Sequence, residues 1–155
     1  MDKLEYIPGD FVMTNGVPIG TAKDVVYRVI SSDPEATLKR KNGTVQRGVV
    51  SLENIEGTKL WEKGFLLGDC CAWVKNIIPI PLTPEILEKN GWKRDGKWYC
   101  LSTKRAYLYT IQDTGQPDEF LICAGECKHN LTSVSFVHQL QHFLFGLNLN
   151  SDLEV

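Results

Sequence analysis

The stretch ICAGECKHNLTSVSFVHQLQH, Ile122 to His142, decides how the C-terminal half of the chain is read. An apolar run meets a glycine and a polar interval, then a segment with helical spacing. Ser133 or Ser135 can cap that helix and Gly146 can end it. Val137, Leu140, Leu144 and Leu147, with Phe136 and Phe143, give it a wide apolar face. Such a face predicts a helix laid over a C-terminal sheet.

The same stretch carries Cys123, Cys127, His138 and His142. Two thiolates and two imidazoles are a structural zinc set. Histidines at i and i+4 share one side of a helix, as a common metal requires. Ten residues separate Cys127 from His138, against about 12 in a zinc finger, and His129 is a substitute ligand. The plainer reading has Cys123 as a small hydrophobe in an apolar strand and the histidines hydrogen-bonded beside the apolar stripe. A chain of 155 residues needs no metal to fold. A Cys–His nucleophilic pair would also need oxyanion donors, which nothing in the sequence supplies.

Working toward the N-terminus, IPIPLTPEILEKNGW (78–92) spells a short helix. Thr83 is the N-cap and Pro84 takes the first helical position, where its missing N–H costs nothing. Leu82 and Leu87 form a hydrophobic staple, and Gly91 stops the helix after barely two turns. A hairpin around Asp95-Gly96 follows, then the alternating strand RAYLYTI (105–111), a loop and the strand FLICA (120–124). The first third reads as short strands. In DVVYRVIS (24–31), Val25, Tyr27 and Val29 line one face while Val26, Arg28 and Ile30 line the other. Asn42-Gly43 marks a tight hairpin. Between the halves, Trp61, Phe65 and Trp73 make the connector too apolar for a solvated linker, so they are expected to pack against both.

The expected class is therefore α+β. Residues 1–57 form a strand-rich, SH3-like small barrel, 58–79 a packed connector, and 80–155 a helix, antiparallel strands and a closing helix.

Composition removes several functions. A net charge of −2 gives no global footprint for nucleic acid or membrane. The N-terminal residues show no signal-peptide pattern, and no apolar run approaches the ~20 residues a membrane helix needs. Five cysteines, two of them adjacent, do not make a secreted disulfide framework, so the expected location is cytoplasmic with reduced thiols. The NGT at Asn42 and NLT at Asn130 then carry no glycosylation meaning. A phosphate-binding glycine loop, a zincin helix, a nucleophile elbow and kinase elements are all missing. Glu85 and Glu88 sit where carboxylates favour a helix dipole rather than as an acid–base pair.

One segment does have the chemistry of a nucleic-acid contact. Lys89, Lys93, Arg94, Lys97, Lys104 and Arg105 interleave with Trp92, Trp98 and Tyr99, with Asp95 as the one acid among them. Cations beside flat rings suit phosphates and stacked bases. A hairpin with a charged outer face and inward tryptophans reads the same way. The turn KRKNGTVQR (39–47) adds a second cationic tip.

Two phrases carry a resemblance. Ile80-Pro81-Leu82-Thr83 with Glu85, Leu87 and Gly91-Trp92, and Val137-His138-Gln139-Leu140-Gln141, resemble a group of small uncharacterised proteins encoded by gut anaerobes, their prophages and phages. The pattern there is IPLT-E-L-GF followed by VHQLQ, with phenylalanine where this chain has Trp92. The likeness spans about residues 78–150, and the opening GDFV is similar to the GN-V start of that group. It implies a mobile-element origin and brings no activity. His138 belongs to the recurring phrase, whereas Cys123, Cys127 and His142 do not, which argues against a shared zinc. These readings lead to a non-enzymatic binding protein of phage or mobile-element origin, acting without a cofactor through a protein partner. A nucleic-acid-binding accessory protein and a structural zinc module are the alternatives.

Overall fold

The structure, a computed structural model, describes residues 5–18, 21–54, 70–104, 106–112, 115–116 and 118–155. It divides into two compact units, Met1–Ile80 and Pro81–Val155.

The first unit is an antiparallel sheet. Its strands are β1 (Phe11–Thr14), β2 (Tyr27–Lys39), β3 (Val45–Asn54), β4 (Cys70–Trp73) and β5 (Ile77–Pro79), in the order β4-β3-β2-β1-β5. The β-branched alternation before and through β2 works as the period of two requires. Val25, Tyr27 and Val29 are buried in a core with Val12, Val50, Leu52, Ala72 and Ile77, while Ile30 is exposed. Asn42 bonds the Thr44 N–H across the β2–β3 tip, where Gly43 supplies the positive φ. The outermost strands, β4 and β5, are joined by only the 3-10 turn Val74–Asn76. Four strand spacings of a flat sheet are about 19 Å, while three residues of 3-10 helix rise about 6 Å. The sheet must therefore curl until its two ends meet at that turn. β3 passes the turn so closely that a Cβ on Gly48 would stand 2.8 Å from Val74 Cγ2.

The second unit begins with α1 (Pro84–Lys89). Thr83 Oγ1 accepts from the Ile86 N–H at 3.3 Å, and Leu82 and Leu87 are both buried. The strands β6 (Lys93–Asp95), β7 (Trp98–Ser102), β8 (Tyr107–Gln112), β9 (Phe120–Ala124) and β10 (His129–Val134) form an antiparallel sheet in sequence order. The helix α2 (Val137–Gly146) follows. Gln139 caps it: its side-chain oxygen accepts from the Ser135 and Phe136 N–H groups at 2.8 and 3.2 Å. The tail is tied back by two amides. Asn90 exchanges two 2.7 Å hydrogen bonds with the Glu154 backbone, and Gln141 donates to the Ser151 carbonyl at 3.1 Å.

The α+β expectation is corrected here. The described residues are 46% strand and 15% helix, arranged as two antiparallel five-stranded sheets with one helix of seven residues or more. The protein is mostly β, so the α+β class with its helix–sheet–helix region does not stand. Three local readings account for the error. The capped segment at 84–89 is a six-residue helix and adds little. The strand read within 24–31 extends to Lys39 as β2, with a register shift between Asp33 and Thr37. Residues 70–73 and 77–79, read as connector, are strands of the first sheet. Trp61 and Phe65 lie outside the described residues, and Trp73 pairs with Val49 in the β3–β4 ladder.

Leu140 is 1% exposed on α2 whereas Phe145 is 69% exposed. Leu140→Ala should cost about 2–5 kcal/mol of stability and Phe145→Ala less than about 0.5 kcal/mol. Denaturant midpoints that rank the two the other way would contradict this packing.

Candidate binding surfaces on the second sheet

The register of the second sheet sorts its side chains into two faces. Tyr99 pairs with Thr110, Thr110 with Ile122, and Gln112 with Phe120, which in turn pairs with Val134. Tyr99, Leu108, Thr110, Phe120, Ile122 and Val134 are buried on one face. α2 lies over that face, because the cavities beside it are lined by Leu144 with Leu101, by Leu147 with Leu108, and by Phe143 with Val134.

One helix cannot cover five strands. A helix is about 10 Å wide, and five strands at ~4.8 Å spacing span about 19 Å between the outer two. On the β6–β7 side the gap is filled. Trp92, Leu87 and Leu153 are buried there, and Asn90 holds the tail in place. A cavity of about 530 Å³ remains between Trp92, Leu101, Leu144 and Leu153, with Lys104 at its rim. On the β10 side, among the described residues, the lead-in to α1 meets the chain just past the strand, where Pro81 bridges Phe136 and the Leu82 N–H donates to the Ser135 carbonyl at 2.9 Å, and Leu131, Thr132 and Ser133 are left exposed. A cavity of about 470 Å³ lies between α2 and β10, and one of about 440 Å³ lies between the end of α2 and Thr103, Ala106, Leu108 and Ala124; both are bounded by Leu131. Leu131, 48% exposed, and the exposed Leu147 form the rim. Phe143 and His142 contribute from α2, and Leu108, Ala124 and Leu149 form the floor nearer its C-terminus.

The opposite face is half open. It presents Trp98, Cys100, Tyr107, Tyr109, Ile111, Leu121 and Cys123 by register. Trp98 and Tyr109 meet edge-to-face at 6.4 Å. The Lys128 ammonium lies over both rings, 5.4 Å from the Trp98 centroid and 4.9 Å from that of Tyr109. Lys128 reaches this position from the β9–β10 turn at φ +51°, a conformation that costs a non-glycine residue roughly 1–2 kcal/mol. Desolvation pushes the Tyr109 phenol up from its ordinary value. Its hydrogen-bonded neighbour Cys100, and then Glu126 and Tyr107, push the same way.

The residues singled out from sequence are only partly gathered. Lys93 is exposed on β6 opposite Cys100, and Trp98 is half-buried on the open face. Arg94 falls opposite Tyr99, on the α2 side of the sheet, and its Nε donates to the Gly96 carbonyl at 3.2 Å. Lys89 is exposed in the last turn of α1, Lys97 is exposed in the β6–β7 turn, and Lys104 lies near the end of β7. Arg105 lies outside the described residues. Trp92 and Tyr99 are buried, so two of the three interleaved aromatics belong to the core. Sequence reasoning missed Tyr109 and Lys128 as partners of Trp98. The Tyr107/Tyr109 alternation was a signal for the rings, but nothing local placed Lys128 above them.

The four candidate metal ligands do not form a cluster. Among the described residues no group of three or more His, Cys, Asp or Glu side chains is placed to hold a metal. Cys123 is buried and its thiol donates to Asn130 Oδ1 at 3.3 Å. Burial pushes this thiol's pKa up, with Lys128 pulling it down to a lesser degree. Cys127 is exposed in the following turn. His138 is buried and stacks on Phe136 at 5.9 Å, while His142 meets it edge-on at 5.6 Å. His129 is exposed at the start of β10.

No family model, curated protein or solved structure matches the chain. Among the described residues no helix is long and apolar enough to cross a membrane.

Dialysis against EDTA should leave the thermal midpoint of the protein unchanged. A fall of several degrees, reversed by zinc, would restore the reading of Cys123, Cys127, His138 and His142 as ligands.

Proposed function

We propose that this chain is a non-enzymatic binding protein that acts through a protein partner seated in the groove between α2 and β10. The observation that carries this is the uncovered flank of the second sheet. Two cavities share the exposed Leu131: one is walled by Leu108, Ala124, Leu147 and Leu149, the other by Val134 and Phe143 together with Thr132, Ser133, Gln139 and His142. Their combined size is in the range of pockets that hold folded-peptide side chains or drug-sized ligands. Contiguous apolar surface of this kind is what protein partners cover. The motif resemblance supports an origin in a phage or other mobile element, with action inside the cell.

Photocrosslinking in the native cell tests the location. With 100° between successive helical residues, Phe145 lies about 160° around the helix from Phe143 and Leu147, and it lines neither cavity. A benzophenone side chain at Leu131 is expected to give one specific protein adduct, and the same group at Phe145 is not. Equal adducts from both positions, or none from Leu131, would remove the groove as the binding site.

The Lys128–Trp98–Tyr109 cluster favours a second reading, single-stranded nucleic acid on the open face. An ammonium held beside two rings can meet a phosphate while a base stacks on the exposed Tyr107. In a fluorescence-anisotropy titration with short oligonucleotides, Lys128→Glu should then weaken binding about tenfold and flatten the salt slope by about one. Binding that is undetectable at low salt ends this reading.

A further inference from the structure

We propose that the partner contributes an extended strand that pairs with the outer edge of β10 and so continues the second sheet. This rests on the protein-partner reading above and specifies the kind of segment that binds.

The two edges of the sheet are unlike. β6 is three residues long, and all three, Lys93, Arg94 and Asp95, are charged and exposed. Short, charged edges are how sheets keep other strands away. β10 is six residues long and contains no Lys, Arg, Asp, Glu or Pro. Five of its six residues are exposed, and among the described strands only β9 pairs with it; the bridge of Pro81 to Phe136 lies just past its end. An edge strand aims alternate backbone N–H and C=O groups outward, in a row that only another extended backbone matches. The edge has one guard, the register shift between Asn130 and Thr132. Beyond it, Thr132, Ser133 and Val134 are in regular register with Ile122, Leu121 and Phe120.

Those three residues also line the groove. Thr132, Ser133 and Val134 stand on one side of it, and His142 and Phe143 of α2 on the other. A strand laid on β10 would send every second side chain over the α2 face and the rest to the opposite face. The chemistry asked of the partner follows. It is an extended segment without proline, with uncharged apolar residues at alternate positions, because neither the edge nor the groove offers it a Lys, Arg, Asp or Glu partner.

The probe is a library of random twelve-residue peptides, displayed and selected on the full chain. Selected peptides are expected to show apolar residues at every second position, and to slow amide exchange across residues 129–134 when bound. Thr132→Lys, at an exposed position, should weaken them tenfold or more. Ser133→Lys, on the opposite face of the same strand, should do likewise through the edge. Lys93→Thr on β6 should leave binding unchanged. Circular dichroism of each variant confirms that it folds. Peptides with apolar residues at helical spacing, or no peptide that Thr132→Lys weakens, overturn strand addition. So does unchanged exchange in β10. These failures leave the groove standing, since that reading falls separately if Leu131 gives no specific photoadduct. Self-association that Thr132→Lys abolishes would make a second copy of the chain the occupant, and also overturns the proposal.

Discussion

The burial of one apolar stripe on α2 against one face of a five-stranded sheet sets the form of the second unit. Val137, Leu140 and Leu144 come from the helix, and Leu108, Phe120, Ile122 and Val134 come from the sheet. Fully burying each such side chain is worth about 1.5–3 kcal/mol. A ten-residue helix would not hold together in water without that cover. The same arrangement has a geometric remainder. A cylinder of fixed width on a wider sheet leaves two flanks; Trp92 and the tail fill the one beside β6 and β7, while α1 starts from the far end, where Leu82 bonds Ser135. The groove beside β10 is thus a consequence of how many strands one helix was given to cover.

Where the sequence was legible, the signal was local and stereochemical. Thr83, Pro84 and the Leu82/Leu87 pair fix the start of α1, and the bond from the Ile86 N–H to Thr83 Oγ1 is the one the cap rule requires. The alternation at Val25, Tyr27 and Val29 identified the buried face of the first sheet. Where the sequence misled, the deciding interaction was distant. Residues 129–134 read as a polar approach to the helix, with Ser133 as a candidate cap, yet they form β10. A strand at an edge, exposed on both faces, needs no apolar alternation, so its sequence does not announce it. The helix starts later and is capped by Gln139 rather than by a serine. His138 likewise looked like a ligand because of spacing alone. Its ring lies buried against Phe136, a contact that spacing does not encode.

The basic-aromatic segment shows the same division at the level of the candidate site. Its composition was visible in the sequence, but which aromatics were available was not. Trp92 follows the glycine that ends α1 and its N–H donates to the Leu87 carbonyl at 3.1 Å, which holds it at the core. Tyr99 and Trp98 are neighbours in a strand, so they face opposite ways, and only Trp98 reaches the open face. The residues that complete its surroundings, Tyr109 and Lys128, arrive from another strand and another turn. A cationic hairpin in sequence became, in three dimensions, a lysine and two rings contributed by three separate segments.

The two sheets solve the problem of exposed edges differently, and this decides where a partner strand can enter. In the first unit, three residues connect the strands at either end, so the sheet curls and its two edges meet at one turn. In the second unit, the chain runs through its five strands in order, and β6 and β10 remain the two edges of the sheet. Each edge then needs its own protection, and the sequence supplies charge to β6 alone. A six-residue edge without charge or proline is an aggregation hazard unless something covers it. Because the part of that edge beyond the register shift borders the groove, a single docked segment would satisfy both the backbone and the side chains left open on this flank.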